Sequence, residues 1–329
     1  MEKDSILIGG VSGENEEKEV IKSKVRSRVK EMLDGLRDTS AKPIEGEIEK
    51  TRKQLEYIEF AEATLEKTFK KLSIPHEGRF VEPEQIHFLA KEIFEKKFPG
   101  VVCDAGGLFR TSEQAIYMNN EAVSSGSNPD DREMFNLEDL THECIHLSSR
   151  LKYHASVDAQ KQVSVGSYRT GYLVISPENG ERKFNGFNEG VVCITQRMLL
   201  QGEAAELEKR FGITQEQLAD IGYGIYVPNQ KLVYALVEKI AKHRREKPGF
   251  SLTRIIRGQF TGEMMHLRDI EQIYGKKSLE ILAKFQSSQD PKNSQERDKL
   301  ILEYFQSDDP QERSDLKDII LNEKKAEMS

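Results

Sequence analysis

Cysteine is scarce in this chain: three residues in 329, Cys103, Cys144 and Cys193, with no CxxC pair among them. With that spacing the chain need not be disulfide-stapled, and the pattern favours a reducing compartment and argues against a cysteine-only zinc knuckle. Any metal centre must therefore rest on histidine and carboxylate. Long apolar runs are missing as well. Ile6 to Ile8 is too brief for the apolar core of a signal peptide and is followed by acid, and no other window approaches a membrane span. An excess of basic charge is also lacking. With 49 Lys and Arg against 56 Asp and Glu, the formal net charge is −7, which argues against a phosphate-binding surface and against nucleic acid as the main partner. "LIGGVSGEN" has no GK[ST] after Gly13, so it is read as a flexible N-terminus rather than a phosphate loop. The expectation is a soluble cytoplasmic protein without a membrane segment; export by a signal-independent route is compatible with the same sequence.

What the chain has in quantity is helical spacing. Val25, Val29, Met32 and Leu36 recur at steps of four, three and four, and Leu55, Ile58, Leu65, Phe69 and Leu72 keep a heptad register over a heavily charged remainder. Glu62 interrupts the seam of the second stripe. Residues 1–75 are read as an N-terminal helical hairpin. Its apolar faces would pack on the rest of the chain, on a second copy, or, through residues 18–72, on another protein. Pro75 and Gly78 mark the boundary to a second region, 76–290. There "EPEQIHFLAKEIFEKKF" reads as a helix with Pro83 near its start, and "VVCDAGGLFRTSEQAIYMNNEAV" as two strands around "RTSEQ". "SSGSNPDDR" is a loop. Residues 291–329 form a polar tail with one or two weakly packed helices.

The chemistry concentrates in "LEDLTHECIHLSSR", residues 137–150. Asn136 is a plausible N-cap, with Glu138 and Asp139 in the first turn, where the helix dipole favours acids. On such a helix His142 and His146 project from one face and can direct ring nitrogens at one Zn²⁺. Glu143 stands beside them, placed to take a proton from a metal-polarised water without itself binding the ion. A catalytic zinc needs a third protein ligand from another element. Glu189 in "FNEGVV" is preferred, because the turn at "PENG" makes a hairpin that returns the next helix alongside, and Gly190 would allow close helix approach. His154 and Asp158 are the local rivals. His76, His87 and His154 otherwise read as structural or surface residues, His243 as part of a solvated basic helix end, and Cys144 and Cys193 as small core residues.

"HECIH" followed by "NEG" resembles the gluzincin branch of zinc metallopeptidases, the thermolysin-like architecture, and among them the compact bacterial members whose hairpin leads into "NEG". The resemblance spans roughly residues 80 to 290. It implies an α+β zincin-like domain, with a small mixed sheet over the HExxH helix and a mainly helical lower lobe. It also implies zinc ligands at His142, His146 and Glu189, Glu143 as general base and acid, and a strand edge within "LFRTSEQAIYMNN" that pairs with an extended peptide. Cys193 departs from the pattern, since many relatives carry an acid four residues after the ligand glutamate to hold the first histidine; Asp139 and Thr195 are the candidate substitutes. For the oxyanion the candidates are Tyr226, preferred, with His266, Tyr223 and Arg169. The function expected is a zinc metallopeptidase acting on a peptide or protein substrate. The alternatives are a catalytically weak zincin-fold regulator or scaffold working through its helical extensions, and a protease with a single regulatory target.

Overall fold

In the computed structural model the described residues are 4–8, 15–40, 42–76, 78–99, 106–121, 132–157, 163–176, 178–219, 226–286 and 292–326. Tyr223, Asp158, Cys103, residues 9–14 and residues 124–131 of the expected loop lie outside them. The protein is mixed α+β. Its contacts divide it into two units, Met1–Thr170 with Leu199–Ala219, and Gly171–Met198 with Asp220–Ser329.

The first unit opens with β1 (Asp4–Ile8), parallel to β6 (Leu151–Val157); of the stretch expected to be flexible, Leu7 and Ile8 lie in this strand and residues 9–14 lie outside the described residues. β6 has β7 (Val163–Thr170) antiparallel on its other side. A second sheet runs in the order β2 (Glu47–Ile48), β3 (Ile86–Leu89), β5 (Ala115–Asn119), β4 (Gly107–Arg110). β3 corrects the helix expected across "EPEQIHFLAKEIFEKKF", which divides into a 3₁₀ turn at Pro83–Gln85, this strand, and α3 (Lys91–Lys97). All four residues of Ile86–Leu89 are buried. A short run buried on both faces has no alternation to separate strand from helix, and its pairing with β2 and β5 decides the outcome.

The helices α1 (Asn15–Ser40) and α2 (Arg52–Lys71) form where the stripes place them. β2 lies between them, and each packs elsewhere: α1 on β1 and β7, α2 on α4 (Arg132–Ser148). The apolar stripe of α2 is wider than a heptad seam. Tyr57, Phe60 and Ala61 are buried, whereas Leu55 is exposed. Glu62, the break in the seam, accepts the backbone N–H groups of Phe80 and Val81 at 2.9 to 3.1 Å and so anchors the chain entering β3. Thr51 and Gln54 cap α2 reciprocally. The returning segment contributes α6 (Ala204–Phe211), whose Phe211 ring meets Tyr57 and Phe60, and α7 (Gln215–Ala219).

The second unit holds the hairpin of β8 (Leu173–Ile175) and β9 (Arg182–Lys183) and most of α5 (Asn185–Gly202). Helices α8 (Val227–Arg244), α9 (Pro248–Thr261), α10 (Met265–Tyr274), α11 (Ser278–Lys284), α12 (Lys292–Gln306) and α13 (Pro310–Ala326) complete it. α9 starts at Pro248, and proline suits a first helical turn because its missing N–H has no partner to lose there. The tail expected to pack weakly belongs to the core. Ile301, Tyr304, Phe305 and Ile320 are at most 1% exposed and share one apolar cluster with Phe187, Leu232 and Ile270. Each such side chain contributes about 1.5–3 kcal/mol. A polar average hid them because few apolar positions, all on one side, suffice.

Candidate metal centre

The helix α4 begins at Arg132, so Asn136 is interior to it and not its cap. Its exposure follows a stripe: Asp139, Glu143 and His146 are partly open, at steps of four and three, while Leu140, Cys144, Ile145 and Leu147 are buried. This is the amphipathic period seen from its polar side. His142, 9% exposed, flanks the stripe, and its Nε2 lies 3.1 Å from Nε2 of His146. Two imidazole nitrogens on one tetrahedral zinc, each about 2.0–2.1 Å from the ion, stand about 3.3 Å apart. The pair therefore has the separation of two ligands to one ion.

Glu143 is fixed from the sheet. Its Oε2 accepts the backbone N–H of Phe109 in β4 at 2.7 Å. Gly106 and Gly107 admit this approach: a Cβ on Gly107 would stand 2.8 Å from Glu143 Cγ, and one on Gly106 would stand 1.5 Å from Asp139 Oδ2. Asp139 keeps some exposed surface yet is ringed by protein atoms, and that desolvation pushes its pKa up to about 7. Glu138 adds to the shift and His142 opposes it. Sequence reading missed Phe109, because a backbone donor leaves no residue-type signal; the adjacent glycines were the available hint.

α5 is buried without interruption from Asn185 to Gln196. Asn188 organises its start, its Oδ1 accepting from the N–H groups of Tyr172 and Leu173 and from Gln259 Nε2 at 3.0 to 3.3 Å. The close approach expected of Gly190 is made to α8, where a Cβ would stand 2.5 Å from the Asn229 carbonyl oxygen. Glu189 sits between these two residues, 9% exposed. His142 and His146 belong to the first unit and Glu189 to the second. A two-histidine, one-carboxylate donor set suits zinc. Cys193 is 1% exposed. Thr195 donates its hydroxyl to the Val191 carbonyl at 2.7 Å, within its own helix.

The oxyanion candidates lie on three different elements. Tyr226 is half-buried at the N-cap of α8. His266, 4% exposed in α10, has Nε2 2.5 Å from the Tyr172 hydroxyl, which also bonds to the Ile255 carbonyl at 2.8 Å. Arg169 is buried in β7. Of the other histidines, His87 Nδ1 is 2.9 Å from Glu47, His76 stacks on Phe80, His243 reaches Gln272 at 3.1 Å, and His154, the local rival as third ligand, is half-buried in β6 opposite Leu7 of β1. Burial raises the Cys144 thiol pKa well above its usual value, the state of an inert core thiol. Among the described residues no helix is long and apolar enough to cross a membrane. In comparisons with protein-family models, curated proteins and solved structures, the chain matched none.

Proposed function

We propose that this protein is a zinc-dependent metallopeptidase, with His142, His146 and Glu189 as ligands and Glu143 as general base and acid. The observation that carries the reading is the pair of Nε2 atoms 3.1 Å apart on α4, the separation of two ligands to one ion; Glu189 is the third ligand that the sequence resemblance implies. The partly open Glu143 beside them supports an enzyme over a structural zinc site, which has no use for that carboxylate. Bound zinc supplies a Lewis acid that polarises a carbonyl and acidifies water. The chain supplies the rest. With Oε2 anchored on β4, Glu143 presents Oε1 to accept a proton from water and return it to the leaving amine. Tyr226 is the preferred oxyanion donor, with His266 as its alternate.

The test is zinc content by elemental analysis for the natural chain, His146→Ala and Glu189→Ala, beside cleavage of an unfolded peptide library. The expected result is near one equivalent of zinc, lost in both variants, with hydrolysis by the natural chain. Zinc retained without Glu189 would move the third ligand elsewhere, and no zinc in any form would end the reading. A second reading rests on Cys193, a buried thiol where the resemblance implies an acid: a zincin-fold regulator with little turnover. One equivalent of zinc without cleavage of any peptide would favour it.

A further inference from the structure

β4 is an edge strand whose backbone faces two ways. Gly106 accepts the Asn119 N–H at 2.9 Å, and Leu108 and Arg110 pair with Tyr117 and Ala115 in the same phase. Alternation along an antiparallel strand then turns Gly107 and Phe109 to the outer edge. An outward N–H on an edge is ordinarily left to water or to an incoming strand. Here the Phe109 N–H is committed to the Glu143 carboxylate.

The site could not take this form with a side chain at residue 107. A Cβ there would stand 2.8 Å from Glu143 Cγ and 3.1 Å from Met118 Sδ. Cγ is in the middle of the glutamate, so the whole carboxylate would have to move, and Met118 is 1% exposed with little room to yield. A hydrogen bond to an ionised carboxylate is among the stronger ones, and it restricts the rotamers of a side chain that would otherwise sample several.

We propose that β4 aims the general base: the Phe109 N–H fixes Glu143 Oε2, and Gly107 is a positioning residue that gives the carboxylate its place. This inference rests on the metallopeptidase reading for its catalytic meaning. It carries a consequence for substrate. A peptide pairing along this edge meets the Phe109 carbonyl but not its N–H, so its register is set by acceptors of β4 on either side of an occupied donor.

Two measurements on the full-length, zinc-loaded protein test it, one of them independent of turnover. In amide-resolved NMR the Phe109 proton should be shifted downfield and slow to exchange, and Glu143→Ala should move it upfield and speed its exchange. An unchanged Phe109 signal in that variant overturns the clamp whether or not the protein cleaves anything. The kinetic measurement compares Phe109→Pro with Phe109→Ala on a library peptide cut by the natural chain. Both variants lack the ring, and only proline lacks the donor, at an outward edge position where proline is tolerated. The kcat of the proline variant should fall roughly 10- to 100-fold below that of the alanine variant, with KM within about twofold and zinc unchanged. Gly107→Ala should lower kcat in the same way with zinc retained. Equal kcat for the two Phe109 variants, or a Gly107→Ala protein with natural kcat, would overturn the proposal. Absence of cleavage by the natural chain would instead count against the metallopeptidase reading, leaving the amide signal to decide whether the clamp exists.

Discussion

The helices α4 and α5 both carry residues of the candidate centre, yet they are built in opposite ways. α4 keeps a partly open polar stripe, Asp139, Glu143 and His146, over a buried apolar back. α5 is closed on all sides for its first twelve residues, Asn185 to Gln196, and Glu189 is the one carboxylate in that stretch. On the proposed reading the open stripe receives substrate and exchanges protons with water. The closed helix can do neither, but it can hold one carboxylate in place, because Asn188 before it and Gly190 after it are locked into packing. A carboxylate kept in such a setting is costly without a cation to offset it, which is the condition a metal ligand meets.

If this division is right, substitutions on α4 should change activity with little effect on stability, and substitutions on α5 should do the reverse. The largest effect expected under the metallopeptidase proposal is that of Glu143→Gln: peptide turnover falls by about 10²–10⁴-fold, the share of a general base, with zinc content and denaturation midpoint close to those of the natural chain. A large loss of stability in this variant would erase the contrast. Gly190→Ala on α5 comes next. Its Cβ would meet the Asn229 carbonyl at 2.5 Å, so urea unfolding should show a loss of about 3 kcal/mol from overpacking.

Asn188→Ala should cost about 2 kcal/mol in the same assay, since three donors lose their acceptor. An Asn188 variant as stable as the natural chain would mean that water replaces the lost acceptor and that α5 is less closed than its exposure implies. The smallest effect belongs to Asp139. Its folded pKa, about 7, lies above the ordinary aspartate value of 3.8, so the charged form is the one the fold disfavours. Stability is therefore full below about pH 4, declines as pH rises towards 7, and stays reduced above it. In metal-free protein, Asp139→Asn should raise stability by about 1 kcal/mol at pH 8, after allowance for its partial exposure, and should change little at pH 4. Equal effects at the two pH values would show that the carboxyl is not desolvated.

Much of the local architecture was legible. The four-three steps of α1 and α2, the strands around "RTSEQ", and the helices at "HECIH" and "NEG" each carry their period within a few neighbouring residues. The errors share a cause. "IHFL" became a strand because β2 and β5 lie on either side of it, and a four-residue apolar run has no period of its own. The tail joined the core through Ile301, Tyr304, Phe305 and Ile320, which are too sparse to raise the hydropathy of the segment. Glu62 looked like a flaw in a heptad seam, and its purpose is visible only with the Phe80 and Val81 amides in place.

The sequence by itself determined the pairing of His142 with His146 and the presence of Glu143 beside them, because the helical repeat of 3.6 residues sets those relations without help from the rest of the chain. It also determined that positions 107 and 190 would carry no side chain, while the open polar stripe of α4 is visible only in the structure. Only the tertiary structure decided that Gly107 makes room for Glu143, that Gly190 lies against α8, and that the Phe109 N–H is the group Glu143 meets. Those relations join residues tens of positions apart through backbone atoms that every residue type shares, so no pattern of side chains could announce them.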